Sequence, residues 1–197
     1  MKVLALVILA GCYHDKPVMT PVVTPIADLT LSEAAIGPIT PTSTATLQAL
    51  RIAMGSDYVV MPINTNNTLR YDITRNGEHI LDVKADDDGN VDTVRVSSVR
   101  VAVAERPWHV GEPFKDPSVL TACECDDDAT DRTVCYTKGQ HVAVGFKRSC
   151  DNLDDARERS VLVGATIDRL VWSAKPWGAE PASDAPDPCG GSPPSDD

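Results

Sequence analysis

The sequence predicts an α+β fold: a curved antiparallel sheet with one helix packed across it, a disulfide-stapled loop, and disordered ends. Three observations predict it. One short stretch has helical periodicity and capping residues, several later stretches alternate apolar and polar side chains with a period of two, and four cysteines cluster late in the chain.

The helix is read from TPTSTATLQALRIAMG. Thr42 or Thr44 supplies a side-chain cap, Leu47, Leu50 and Met54 fall on one face, and Gly55 ends the run. The period then changes. Leu69, Tyr71 and Ile73 alternate with Arg70, Asp72 and Thr74, the pattern of a strand with one wet face. Asn76-Gly77 marks a two-residue hairpin turn, in which both positions adopt positive φ. Leu81, Val83 and Ala85 form the return strand, DDDGN the next turn, and Val94 and Val96 a third strand. At Ser97-Ser98 the alternation slips, so that Val99, Val101 and Val103 continue on odd positions; a bulge or strand break belongs there. Further strands are expected at Val142 to Phe146 and within Ile167 to Trp172.

Composition bounds the rest. The chain has 197 residues, only 5% of them aromatic, so its core is built mainly from Val, Ile, Leu and Ala. The net charge of -11 carries no basic cluster, which argues against nucleic acid as a partner. Of 15 prolines, five lie between Pro17 and Pro41 and six between Pro176 and Pro194. The division expected is a signal peptide at residues 1–11, a proline-rich tether at 12–30, an α+β domain at 31–177 and a disordered acidic tail at 178–197.

Cys123, Cys125, Cys135 and Cys150 are the disulfide candidates, with Cys189 left over in the tail. In an oxidising compartment such a cluster is a disulfide framework, here stapling the acidic loop CECDDDATDRTVC onto the strand Val142 to Phe146. Adjacent-strand geometry favours Cys123 or Cys125 with Cys135, and the other with Cys150. Zinc spacing is missing, and acidic neighbours would raise rather than lower a thiol pKa, against redox chemistry. An EF-hand reading of the Asp86 to Asp92 run fails because it puts Lys84 at the first ligand position, so no metal is assigned. His14, His79, His109 and His141 form no zinc-protease motif, and no nucleophile elbow or phosphate-binding loop occurs, so no catalytic residue and no cofactor is assigned. RPWHVGEPF places Trp108, His109 and Phe114 in one loop; as exposed anchors they would bind a ligand, and as buried ones they would cap an end of the sheet.

The opening MKVLALVILAGC has Lys2, an apolar run and small residues before Cys12. LAGC resembles the lipobox of bacterial lipoproteins, which implies removal of residues 1–11 and acylation of Cys12. Tyr13, where that family often has Asp for inner-membrane retention, implies the outer membrane. Beyond it, AIGPITPTSTATLQAL, VDTVRVSSVRV, HVGEPF and IDRLVW resemble a family of sigma-E-regulated envelope lipoproteins of unknown function. The combined expectation is a lipid-anchored, monomeric envelope protein, held to the membrane through the lipid on Cys12. It would bind an unidentified protein or envelope ligand without catalysis. The alternative is an envelope enzyme, hydrolytic or thiol-redox, using the Cys123/Cys125 region or His109.

Overall fold

The computed structural model describes residues 29–65, 68–126, 129–149 and 160–179. Cys12, Cys150, Cys189 and the expected signal, most of the tether and nearly all of the tail lie outside the described residues.

The chain enters through strand β1 (Leu29–Leu31), which begins two residues inside the expected tether. Helix α1 (Leu47–Met54) follows, with Leu50 and Met54 buried. Its cap is Thr46 rather than Thr42 or Thr44: the Thr46 hydroxyl accepts from the Ala49 N–H at 3.2 Å. Thr42 and Ser43 instead hydrogen-bond to Thr40 in the preceding turn. Then come β2 (Val59–Thr65), β3 (Thr68–Arg75), β4 (Glu78–Ala85) and β5 (Val91–Val96), an antiparallel meander. Asn76 and Gly77 turn β3 into β4 with φ of 53° and 79°, the mirror-image turn that suits strand twist. Strand β2 has no clear alternation of its own, because Pro62 and a polar end break its pattern.

The slip at Ser97-Ser98 is a strand break. Val99 is exposed, and β6 (Val101–Val103) leaves the main sheet to pair in parallel with β1. Strands β7 (Ala122–Asp126), β8 (Ala129–Tyr136), β9 (Val142–Phe146) and β10 (Arg169–Ser173) complete an eight-stranded antiparallel sheet in the order β2-β3-β4-β5-β10-β9-β8-β7. The acidic run expected to be a loop is therefore the β7–β8 hairpin. Its Cys123 and Cys135 are register partners with Cα atoms 4.0 Å apart, and they form a disulfide. The bond ties the hairpin to itself rather than to β9.

One row of register partners, Cys123, Cys135, Val144, Leu170, Val96, Leu81, Ile73 and Val60, crosses all eight strands on the inner face, and all eight residues are buried. Against this face pack Leu50, Ile36 and Ile39, together with Trp108 and Phe114 from the loop after β6.

Candidate functional site

The loop from Ala104 to Asp116 leaves β6 and crosses one end of the inner face. Backbone bonds hold it to the segment before β10: Gly111 N–H to Ile167 carbonyl at 2.8 Å, Phe114 N–H to Ala165 carbonyl at 2.8 Å, and Ile167 N–H back to Glu112 carbonyl at 2.9 Å. Its two aromatics point inward. Phe114 is 1% exposed and meets Phe146 of β9 edge-on at 5.5 Å between centroids, and Trp108, 5% exposed, leans on Phe114 at 6.0 Å. They extend the core as an aromatic ridge and cap the sheet; they do not stand out as exposed anchors.

Beside the ridge lies a cleft of about 490 Å³, within the range that holds a small ligand. Trp108, Phe114, Val119 and Ile167 supply its apolar lining, and Arg106 and Gln140 its inner polar edge. The far wall is the one-turn 3-10 helix Pro117–Val119, capped by Asp116, whose carboxylate accepts from the Ser118 N–H at 3.1 Å. The Thr137 hydroxyl donates to the Val119 carbonyl and secures that wall to the end of β8.

Arg106 is the most organised polar group here. Its guanidinium lies over the Trp108 ring at 4.4 Å, donates from Nη2 to Gln140 Oε1, and has Glu33 Oε1 at 3.9 Å. Glu33 is itself held by the backbone N–H groups of His141 and Val142. Sequence inspection singles out Trp108 and Phe114 but passes over Arg106, whose partners come from distant parts of the chain. His109 is half-buried and does not line the cleft; its carbonyl accepts from the Glu112 N–H at 3.2 Å.

The cysteines sit elsewhere. Cys125 is exposed, opposite Thr133. The Thr133 hydroxyl donates to the Arg148 carbonyl at 3.2 Å, so the chain leaving β9 returns beside this pair. On the outer face the Asp126 carboxylate, 1% exposed, bridges Arg95 at 2.6 Å and Arg169 at 3.1 Å, and Asp168 continues the network between Arg169 and Arg132. Gly145 makes this possible: a Cβ there would lie 2.4 Å from Arg169 Cγ, so the arginine crosses β9 flat against the backbone.

A third cluster, also missed in the sequence, lies at the β4–β5 end. His79 Nδ1 is 2.6 Å from Ser97 Oγ, and His79 Nε2 is 3.1 Å from Asp72. These are the residue types of a nucleophilic triad. Here, however, His79 is 39% exposed and lines neither the cleft nor the smaller recess beside Cys125 and Asp126. Among the described residues no group of three or more His, Cys, Asp or Glu side chains is arranged to hold a metal ion.

No protein-family model matches the chain, and no curated protein is significantly similar to it. Among solved structures it is similar to the uncharacterized protein yfeY from Escherichia coli, with a TM-score of 0.56 and 16% identity over 73% of this chain and 99% of that one. At that identity the likeness establishes a common fold.

Proposed function

We propose that this chain is a lipid-anchored protein of the bacterial envelope, placed at the outer membrane through acylated Cys12, and that its domain binds a ligand without catalysis. The observation that carries the binding role is the cleft beside Trp108 and Phe114. It is concave and apolar-lined, its aromatic ridge is fixed by core packing, and a held cation sits at its inner edge. The anchor rests on LAGC and the proline-rich residues that follow it. Against the thiol-redox alternative, Cys123 is occupied in a disulfide on a strand rather than poised at a helix start.

Two measurements test the two halves separately. Metabolic labelling with a palmitate analogue should mark the wild-type chain and not Cys12→Ala; equal labelling of both removes the anchor. Nile red, a neutral apolar dye, should bind the purified protein with enhanced emission, and Val119→Trp, which fills the cleft, should abolish that signal. Unchanged emission from Val119→Trp removes the cleft as the binding site.

A further inference from the structure

The polar groups of the cleft differ in depth, and that difference carries information about the ligand. Lys115, Asp116 and Glu105 line the rim and are exposed, where solvent screens them. Asp116 is moreover engaged with both the N–H and the hydroxyl of Ser118. Arg106 alone among the charged lining residues is drawn in, with a side chain 16% exposed beside the indole of Trp108. A charge at that depth interacts more strongly than the same charge at the rim.

The fork of Arg106 is fixed but not used up. Gln140 takes one Nη2 hydrogen, and Glu33, at 3.9 Å, stands beyond hydrogen-bond distance. Glu33 is anchored by two backbone N–H groups, so its charge is already shared with the start of β9. Among the described residues Gln140 and Glu33 both face Nη2, which leaves the Nε and Nη1 donors for a further acceptor. Stacking on Trp108 and the bond to Gln140 hold the guanidinium in one orientation, which lowers the entropic cost of pairing with an acid.

We infer that the cleft takes an amphipathic monocarboxylate: an apolar chain or ring against Trp108, Phe114, Val119 and Ile167, with its carboxylate on Arg106. This rests on the binding role proposed above and adds the chemical class of the ligand. A polyanion would meet two carboxylates, Glu105 and Asp116, against one lysine, Lys115, at the rim and the net charge of -11 on the whole chain, whereas one acid reaching Arg106 leaves the rim to its uncharged part.

Calorimetric titration of the full chain with decanoate, decanol and decyltrimethylammonium, each below its micellar concentration, tests the inference. Decanoate should bind roughly tenfold more tightly than decanol, as a charged hydrogen bond in a partly desolvated site allows, and the ammonium should bind weakest. Arg106→Gln, shown to be folded by a circular-dichroism spectrum and urea midpoint close to the parent's, should remove that tenfold preference; Arg106→Lys should restore part of it. Equal binding of acid and alcohol, or preference for the ammonium, overturns the carboxylate assignment and leaves the cleft intact as a binding site. That comparison is decisive on wild-type protein even if Arg106→Gln does not fold. Failure of all three probes to bind, or binding unaffected by Val119→Trp, overturns the cleft reading itself.

Discussion

The two faces of the eight-stranded sheet are built on opposite principles. The inner face is a continuous apolar layer, buried from Cys123 at one edge to Val60 at the other. The outer face changes character along its width. Across β3, β4 and β5 it carries Asp72, Asp82, Lys84 and Arg95; across β8, β9 and β10 it carries Val134, Ala143 and Val171, covered by Trp177, which stacks on Tyr136 at 5.3 Å. The lesson is that one half of the sheet is a half-wet layer and the other is sandwiched. That is why Asp72 lies half-buried between buried Tyr71 and Ile73 in β3, while VAVGF is buried at every position.

The largest expected effect tests the inner face. Trp172 is fully buried in the middle of the sheet, so Trp172→Ala should lower unfolding free energy by about 4 kcal/mol. Urea denaturation checks it, and a loss under about 1 kcal/mol would mean that the core does not run continuously through β10. Next comes the outer face. Asp126→Ala leaves Arg95 and Arg169 facing each other in a nearly dry site, with an expected loss of about 3 kcal/mol. Gly145→Ala should act on the same network by displacing Arg169, and the pair of substitutions should be less than additive. Full additivity would show that Gly145 serves some other purpose.

The disulfide sharpens the comparison at the sheet edge. It closes a loop of sequence separation 12, for which chain entropy gives about 3 kcal/mol. Replacing Cys123 and Cys135 together with Ala should lower stability by that order or somewhat less, because ladder bonds already hold the two strands. Non-reducing peptide mapping of the untreated protein should return these two cysteines cross-linked.

What was legible in the sequence follows the range of the interactions. The Asn76-Gly77 hairpin rests on neighbours in the chain and reads correctly, as do Tyr71, Ile73, Leu81 and Val83 beside it; at the start of β3, however, Leu69 is exposed and Arg70 buried, the reverse of the expected alternation. The break at Ser97-Ser98 was visible as a phase slip, but its consequence was not, since β6 finds its partner at Leu29–Leu31 some seventy residues away. The β7–β8 hairpin was hidden because Glu124 and Asp126 look like loop residues until Arg95 and Arg169 are brought onto Asp126 and the Tyr136 hydroxyl onto Glu124. The cleft was half legible. Trp108 and Phe114 share a short loop, whereas the orientation of Arg106 depends on Gln140 and Glu33, which nothing local connects to it.

The smallest expected effect concerns the helix that covers the inner face. Both Thr42 and Thr44 suit a cap by residue type, and the difference between them and Thr46 is geometric. Thr46 has extended backbone angles, φ −113° and ψ 154°, and its hydroxyl reaches the Ala49 N–H, while Thr42 hydrogen-bonds to Thr40. Thr46→Ala should therefore cost about 1 kcal/mol, whereas Thr46→Asp should keep the cap. Thr42→Ala and Thr44→Ala should each stay within roughly 0.5 kcal/mol of the parent, as surface substitutions away from a cap do. Because Leu50 and Met54 pin α1 to the inner face, a frayed first turn leaves the helix docked, and the Thr46→Ala loss should stay local. Hydrogen exchange should show faster opening at Ala49 and Leu50 with unchanged protection at Ile73 and Leu81; uniform loss across the sheet would show that the helix start is part of the global folding unit.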